Sequence, residues 1–483
     1  MEKRLVTPQQ RLIRSFILLM CLGTLLLTCL RVLGHGFFPI DDALRHVAKV
    51  LSGKSWVDIL IIRPEFIMDS HPGWHAILSG FQALIKCDKM VLLNFSVIFL
   101  FLVFTVPPVF YFRRGEAWIA SLALSAVFFF GAIYRLFYGR PYITSMVLIL
   151  LFCFLWEKVK DNDKPWAELI ALSAITALAT WIHGAWYLLT LPLLALILAR
   201  QWRVFLLMSS AMSLGVVCGA LLTGSPLVFL HQMIFHALEA FGNSDFQRQL
   251  VSEFQPFSGE ALVFFLIGGF LLWRKVRDEW DIRVVDNPIF YLVVIGWTMG
   301  FFAGRFWTDW AWPALIFWIA LEIQAVMERY TDNFGWKRLM LTGMFCLILV
   351  LSVTNDYGSR WSGGVAEWPN IEKVEQRPWL PDDGGIVYND NMFLFYQVFY
   401  NNPQAPWRYA LGFEPIWMTA DNLKIFRDIQ LNRGKDENYI PWVKKMTSKD
   451  RMILLRNGKP QIEGLEWHEV TPTVWSGKLE QKK

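Results

Sequence analysis

Two adjacent aspartates, Asp41 and Asp42, follow Pro39 at what reads as the start of a short helix. A carboxylate in such a place can take a proton from a hydroxyl. His46 lies four residues beyond Asp42, and His75 four beyond His71. Residues four apart are neighbours on a helix, so each pair is expected on one helical face. The stretch 35–75 that holds them carries four of the eight histidines. A second group is cationic: Arg135 and Arg140 in YRLFYGRPY, His183 in WIHGAW, Arg248 in a long polar segment, and Arg305 with Asp309 in GRFWTDW. The planar fork of arginine grips two phosphate oxygens at once, and tryptophan and tyrosine faces suit sugar rings. Together these residue types fit a phosphate-linked sugar. Each also has a plainer role: aspartate caps helices, His71 and His183 can serve turns, aromatic residues anchor span ends, and Arg305 can pair with Asp309.

The elements that must position these groups are apolar. Of 483 residues, 55% are hydrophobic, 16% aromatic and only 18% charged, and mean hydropathy is +0.36. That is too apolar for a soluble globule and marks a polytopic membrane protein. The net charge of +5 is small and dispersed between apolar segments, which excludes a nucleic-acid-binding surface. The six cysteines show no paired spacing, so neither a disulfide framework nor a zinc site is indicated. Spans are expected near 14–34, 90–112, 117–137, 141–157, 166–183, 184–200, 203–223, 259–274, 288–304, 310–328 and 336–354, about eleven in all. The first reads as an uncleaved span, because no small-residue cleavage site follows it.

Basic residues at 113–114, 158–160, 200–203, 274–277 and 337–338 recur at every second loop. With the N-terminus in the cytoplasm, all five fall inside only if one span separates residues 35–75 from Arg113. Residues 73–85 should therefore lie along the outer surface or dip into it without crossing, and residues 225–241 should form a second surface helix. Residues 1–354 then make an all-α membrane domain with a first external loop at 35–89. Residues 355–483 make a small external α/β domain, with strands at GGIVYND and RMILLRNG and helices at NMFLFYQVFY and NLKIFRDIQLNR.

This arrangement, with PIDDALRHVAK in the first external loop and SHPGWHAIL before the second non-spanning helix, resembles the GT-C superfamily of membrane glycosyltransferases. Protein mannosyltransferases and lipid A aminoarabinose transferases are branches of it. The resemblance implies transfer of a sugar from a polyprenyl-phosphate donor to a glycan, lipid or protein acceptor at the outer face of a bacterial inner membrane. The first-loop acidic residue, Asp41 by preference or Asp42, would be the catalytic base. His46, His71, His75, Arg135, Arg140, His183 and Arg305 would bind substrate. Where the family carries HPP or KPP this chain carries HPG, so a phosphate-binding lysine is replaced by His71. Some relatives use a divalent ion, Mg or Mn, which would sit on Asp42; no other cofactor is expected. Two other readings are an inactive component of a cell-envelope polysaccharide assembly and a secondary transporter. A transporter, however, would gather its ionisable groups at the bilayer midplane.

Overall fold

The computed structural model describes residues 8–34, 39–242, 255–257, 261–330, 335–353 and 367–480. The chain forms two compact units. The first takes in residues 1–36, 97–226 and 247–356, and the second residues 37–96, 227–246 and 357–483. The C-terminal segment thus shares a unit with the first loop and with the helix Pro226–Gly242.

Four helices are long and apolar enough to cross a membrane: Arg11–Gly34, Lys89–Tyr111, Trp202–Leu221 and Phe306–Arg329. They mark the chain as a membrane protein. The expected count of about eleven is not met among the described residues. The stretch 117–137 is not one helix, because Gly115–Phe128 and Gly131–Phe137 meet at a bend of 111°. The stretch 184–200 opens with a 3-10 turn at Trp186–Leu189 and leaves only nine residues of α-helix, Thr190–Leu198. Pro288–Gly300 has 13 residues. At about 1.5 Å per residue such a helix falls well short of the roughly 30 Å apolar layer.

In the first unit, helices Trp166–Ile182 and Trp202–Leu221 pack with their backbones close together. A Cβ at Gly215 would lie 2.5 Å from the Ser173 carbonyl oxygen, and one at Gly219 would lie 2.4 Å from that of Ala177. The spacing is the small-xxx-small pattern that lets membrane helices approach. Polar contacts tie the basic loops to one another. Arg338 pairs with Glu116 at 2.5 Å, the Arg114 amide donates to Gln324, and Arg203 donates to the Asn162 carbonyl. Arg274 pairs with Glu322, Arg329 with Glu279, and Arg200 with Asp286. Asp309 and Arg329 are 20 residues apart on a nearly continuous helix, about 30 Å by helical rise. The basic loops and Asp309 therefore lie at opposite ends of this unit.

The second unit is built on a five-stranded sheet, with β1 Ile386–Tyr388, β2 Arg408–Tyr409, β3 Arg451–Leu455, β4 Leu465–Thr471 and β5 Val474–Leu479. The strand order is β2-β1-β3-β5-β4, parallel through the first three strands and antiparallel through the last. The four C-terminal elements read from sequence appear as β1, β3 and the helices Met392–Asn401 and Ala420–Leu431. The first loop is stitched to this sheet through bridges from Leu60 to Tyr409 and from Ile62 to Met418. Helix Asp42–Ser52 packs on Met392–Asn401 and on Pro72–Ile85. Residues 73–85 are helical as expected and are not among the four long apolar helices. Helix Pro226–Gly242 is held by buried Gln232, which both donates to and accepts from the Met68 backbone.

Candidate functional site

Helix Asp42–Ser52 supplies the first side chains of the site. Asp41 stands at its N-cap position, yet its side chain makes no capping hydrogen bond, so capping does not account for it. Asp42, in the first turn, pairs with Arg45 one turn on, and its second oxygen lies 3.3 Å from His46 Nε2. Arg45 is almost wholly buried, its guanidinium stacked 3.8 Å from the Phe413 ring centre and 5.6 Å from that of Trp56. This aromatic slot fixes Arg45, and Arg45 in turn fixes the Asp42 carboxylate. The Asp42 side chain keeps 18% of its surface exposed, whereas His46 has none.

Helix Pro72–Ile85 supplies the rest. Its His75 is in hydrogen-bond contact with His46, Nε2 to Nδ1, at 2.9 Å. On the other side of the His75 ring, Nδ1 lies 2.5 Å from Asp69 Oδ2. The other Asp69 oxygen accepts from the His71 amide at 3.0 Å and from Trp56 Nε1 at 3.3 Å. The His71 ring stands edge-on to His46, with centres 4.9 Å apart. One line of groups results: Asp42, His46, His75, Asp69.

Burial and the neighbouring Arg45 charge push the His46 imidazole down to a pKa of about 3, against the smaller opposing pull of Asp42, so it is neutral at physiological pH. Burial works against ionisation of Asp69, but His75, His71 and the His71 amide together hold its carboxyl far below the usual range.

In the first unit Arg135 and Arg305 converge on one carboxylate. Arg135 reaches Asp309 Oδ1 at 2.7 Å and Arg305 Nε reaches Oδ2 at 3.2 Å, and Asp309 is only 2% exposed. Residues Phe306–Ala311 wind as a π-helix, a rare geometry that recurs at functional sites. His183 Nδ1 is 2.8 Å from Ser145 Oγ, and Arg140 lies over the Tyr138 ring at 5.3 Å. His35 and Arg248 lie outside the described residues.

The structure therefore brings the expected Asp42, His46, His71 and His75 together in one unit, and Arg135 and Arg305 together in the other. Two partners escaped the sequence reading. Arg45 reads as an ordinary basic residue of an amphipathic helix. Asp69 had a usable signal, because aspartate two residues before an N–H it can accept from is turn chemistry, and here it fixes the entry to the histidine helix. Among the described residues no group of three or more His, Cys, Asp or Glu side chains is placed to hold a metal ion. The Arg45 guanidinium, moreover, already sits on Asp42 where an ion would. The residues present do not fit a divalent ion.

No protein-family model and no curated protein matches the chain.

Proposed function

We propose that this chain is a membrane glycosyltransferase that moves a sugar from a polyprenyl-phosphate donor to an acceptor hydroxyl at the outer face of a bacterial inner membrane. The observation that carries this reading is Asp42, a partly exposed carboxylate held at the edge of an otherwise buried histidine pair. A hydroxyl attacking an anomeric carbon must lose its proton as the bond to phosphate breaks. Asp42 can accept that proton, and attack from the face opposite the phosphate inverts the anomeric centre. The second requirement is a cation for the departing phosphate, since stabilising developing charge is usually the largest catalytic term. Arg135 and Arg305, with Arg140 and His183 as further polar groups of the same unit, are of the residue types that bind an anionic phosphate. Their end of the unit is opposite the basic loops, which is the outer end when Lys and Arg mark the cytoplasmic side. No metal enters this scheme. The test is incubation of purified protein with a panel of radiolabelled polyprenyl-phosphate sugars and an extract of cell-envelope acceptors. Label should appear in a glycan, lipid or protein product with wild type and be absent with Asp42→Asn. Absence of transfer from every donor with wild type would refute the reading.

A further inference from the structure

His46 presents a feature that the base assignment alone leaves unused. Its ring is wholly buried, and its Nε2 has no hydrogen-bond partner although Asp42 Oδ2 is 3.3 Å away. A buried imidazole nitrogen facing a carboxylate would ordinarily carry a proton and donate it, because leaving a buried hydrogen bond unmade is costly. The tautomers explain why it does not. A neutral His75 facing an ionised Asp69 carries its single proton on Nδ1, the nitrogen 2.5 Å away. His75 Nε2 is then an acceptor, so His46 must donate to it from Nδ1 across the 2.9 Å contact. A neutral His46 has no second proton, and its Nε2 meets Asp42 lone pair to lone pair.

On the reading of Asp42 as base, we infer that His46, His75 and Asp69 form a proton relay that empties Asp42 after it has taken the acceptor's proton. When the acceptor hydroxyl gives its proton to Asp42, the new carboxylic O–H can donate to His46 Nε2 and fill the missing bond. The proton passes to Nε2, the Nδ1 proton of His46 passes to His75 Nε2, and His75 becomes an imidazolium paired with Asp69. One proton enters at Asp42 and one is held at His75. His46 is neutral at both ends, and Asp42 returns to its carboxylate. The side chain of Asp69 is 24% exposed, which opens a way out to solvent. The other groups around the two rings are Arg45, which shares Asp42 with His46, His71, edge-on to His46, and the Trp56 ring, 6.1 Å from that of His75. His46 and His75 are positioning and proton-passing residues; of the four groups in this line only Asp42 touches substrate.

Asp69→Asn reverses the chain with little change of shape. An amide can donate to His75 Nδ1, which moves the His75 proton to Nε2 and the His46 proton to Nε2, where it blocks the relay. The analogous carboxylate-to-amide exchange behind a catalytic histidine traps the wrong tautomer and costs about 10,000-fold. Nitrogen-15 NMR of full-length protein in nanodiscs, labelled at histidine, should show an unprotonated His46 Nε2 in wild type and a protonated one in Asp69→Asn. The same substitution should lower kcat for the lipid-linked donor by about 100-fold or more while KM stays within about twofold, as expected for loss of proton transfer. A protonated His46 Nε2 in wild type overturns the relay whether or not the protein transfers sugar. So does Asp69→Asn with unchanged kcat in an active enzyme. Failure of wild type to use any lipid-linked donor, with the NMR result as expected, would instead strike the functional reading and leave the tautomer chain standing.

Discussion

At the scale of single residues, the two charged clusters make opposite demands on their partners. In the Arg135–Asp309–Arg305 group the carboxylate is buried and shared, so its removal leaves two arginines uncompensated. Were these side chains only a structural pair, Arg305→Lys and Asp309→Asn would both lower thermal stability and leave donor affinity alone. If Arg305 grips phosphate through its fork, lysine keeps the charge but loses the two-point contact. We expect Arg305→Lys to raise the apparent KM for the lipid donor about tenfold with its melting temperature close to wild type, a loss of about 1.4 kcal/mol in binding. Asp309→Asn should lower the melting temperature instead. Donor kinetics and thermal melts of the two variants separate the accounts. His46 makes a different prediction. Its folded-state pKa, lowered to about 3, lies below the unfolded value of about 6.5, so below about pH 6 the unfolded chain binds the extra proton and the folded chain does not. Stability contributed by neutral His46 is therefore complete above about pH 6.5 and lost as pH falls toward 3. Asp69, also depressed, adds loss in the same direction at lower pH. Melting curves across this range should show wild type losing stability more steeply than His46→Gln, and parallel curves would contradict the buried neutral state.

At the scale of elements, the sequence was informative where periodicity and capping agreed. Asn391 before MFLFYQVFYN is an N-cap whose side chain accepts from the Phe393 amide, and the helix begins there as expected. The β4–β5 hairpin was missed because its two-residue loop is Pro472-Thr473, without glycine or asparagine. Thr473 adopts φ 71°, a left-handed conformation that its β-branched side chain does not advertise. The broken helix at 115–137 was missed for a related reason: an apolar run carries no mark of where its backbone bends. Of the site, Asp42/His46 and His71/His75 were legible from four-residue spacing, whereas Arg45, Asp69 and the contact between the two helices depend on tertiary packing. Close packing at Gly215 and Gly219 gives the element-scale prediction. Gly219→Leu would drive a side chain into the Ala177 carbonyl, so helices Trp166–Ile182 and Trp202–Leu221 should separate and the melting temperature of detergent-solubilised protein should fall by several degrees. An unchanged melt would mean that this pair does not depend on close approach.

At the scale of the whole molecule, the chain divides its chemistry between two compact units. One contains most of the long apolar helices and a buried carboxylate bound by two arginines. The other combines a soluble-type sheet with the aspartate and histidine pair of the first loop, so the C-terminal segment and the chemistry near residue 42 are parts of a single folded body. Substitutions in the sheet that loosen the Leu60 and Ile62 bridges are for this reason a route to losing the site without touching it. The central claim is that Asp42 serves as the base of a sugar transfer, and turnover of Asp42→Asn tests it most directly. Asparagine caps a helix about as well as aspartate, so a merely structural role would leave activity within a few-fold. With a polyprenyl-phosphate sugar that supports wild-type turnover, the account predicts a loss of about 100- to 10,000-fold in kcat for Asp42→Asn, with the protein folded and expressed and Asp41→Asn much less affected. Near-normal turnover of Asp42→Asn would contradict it.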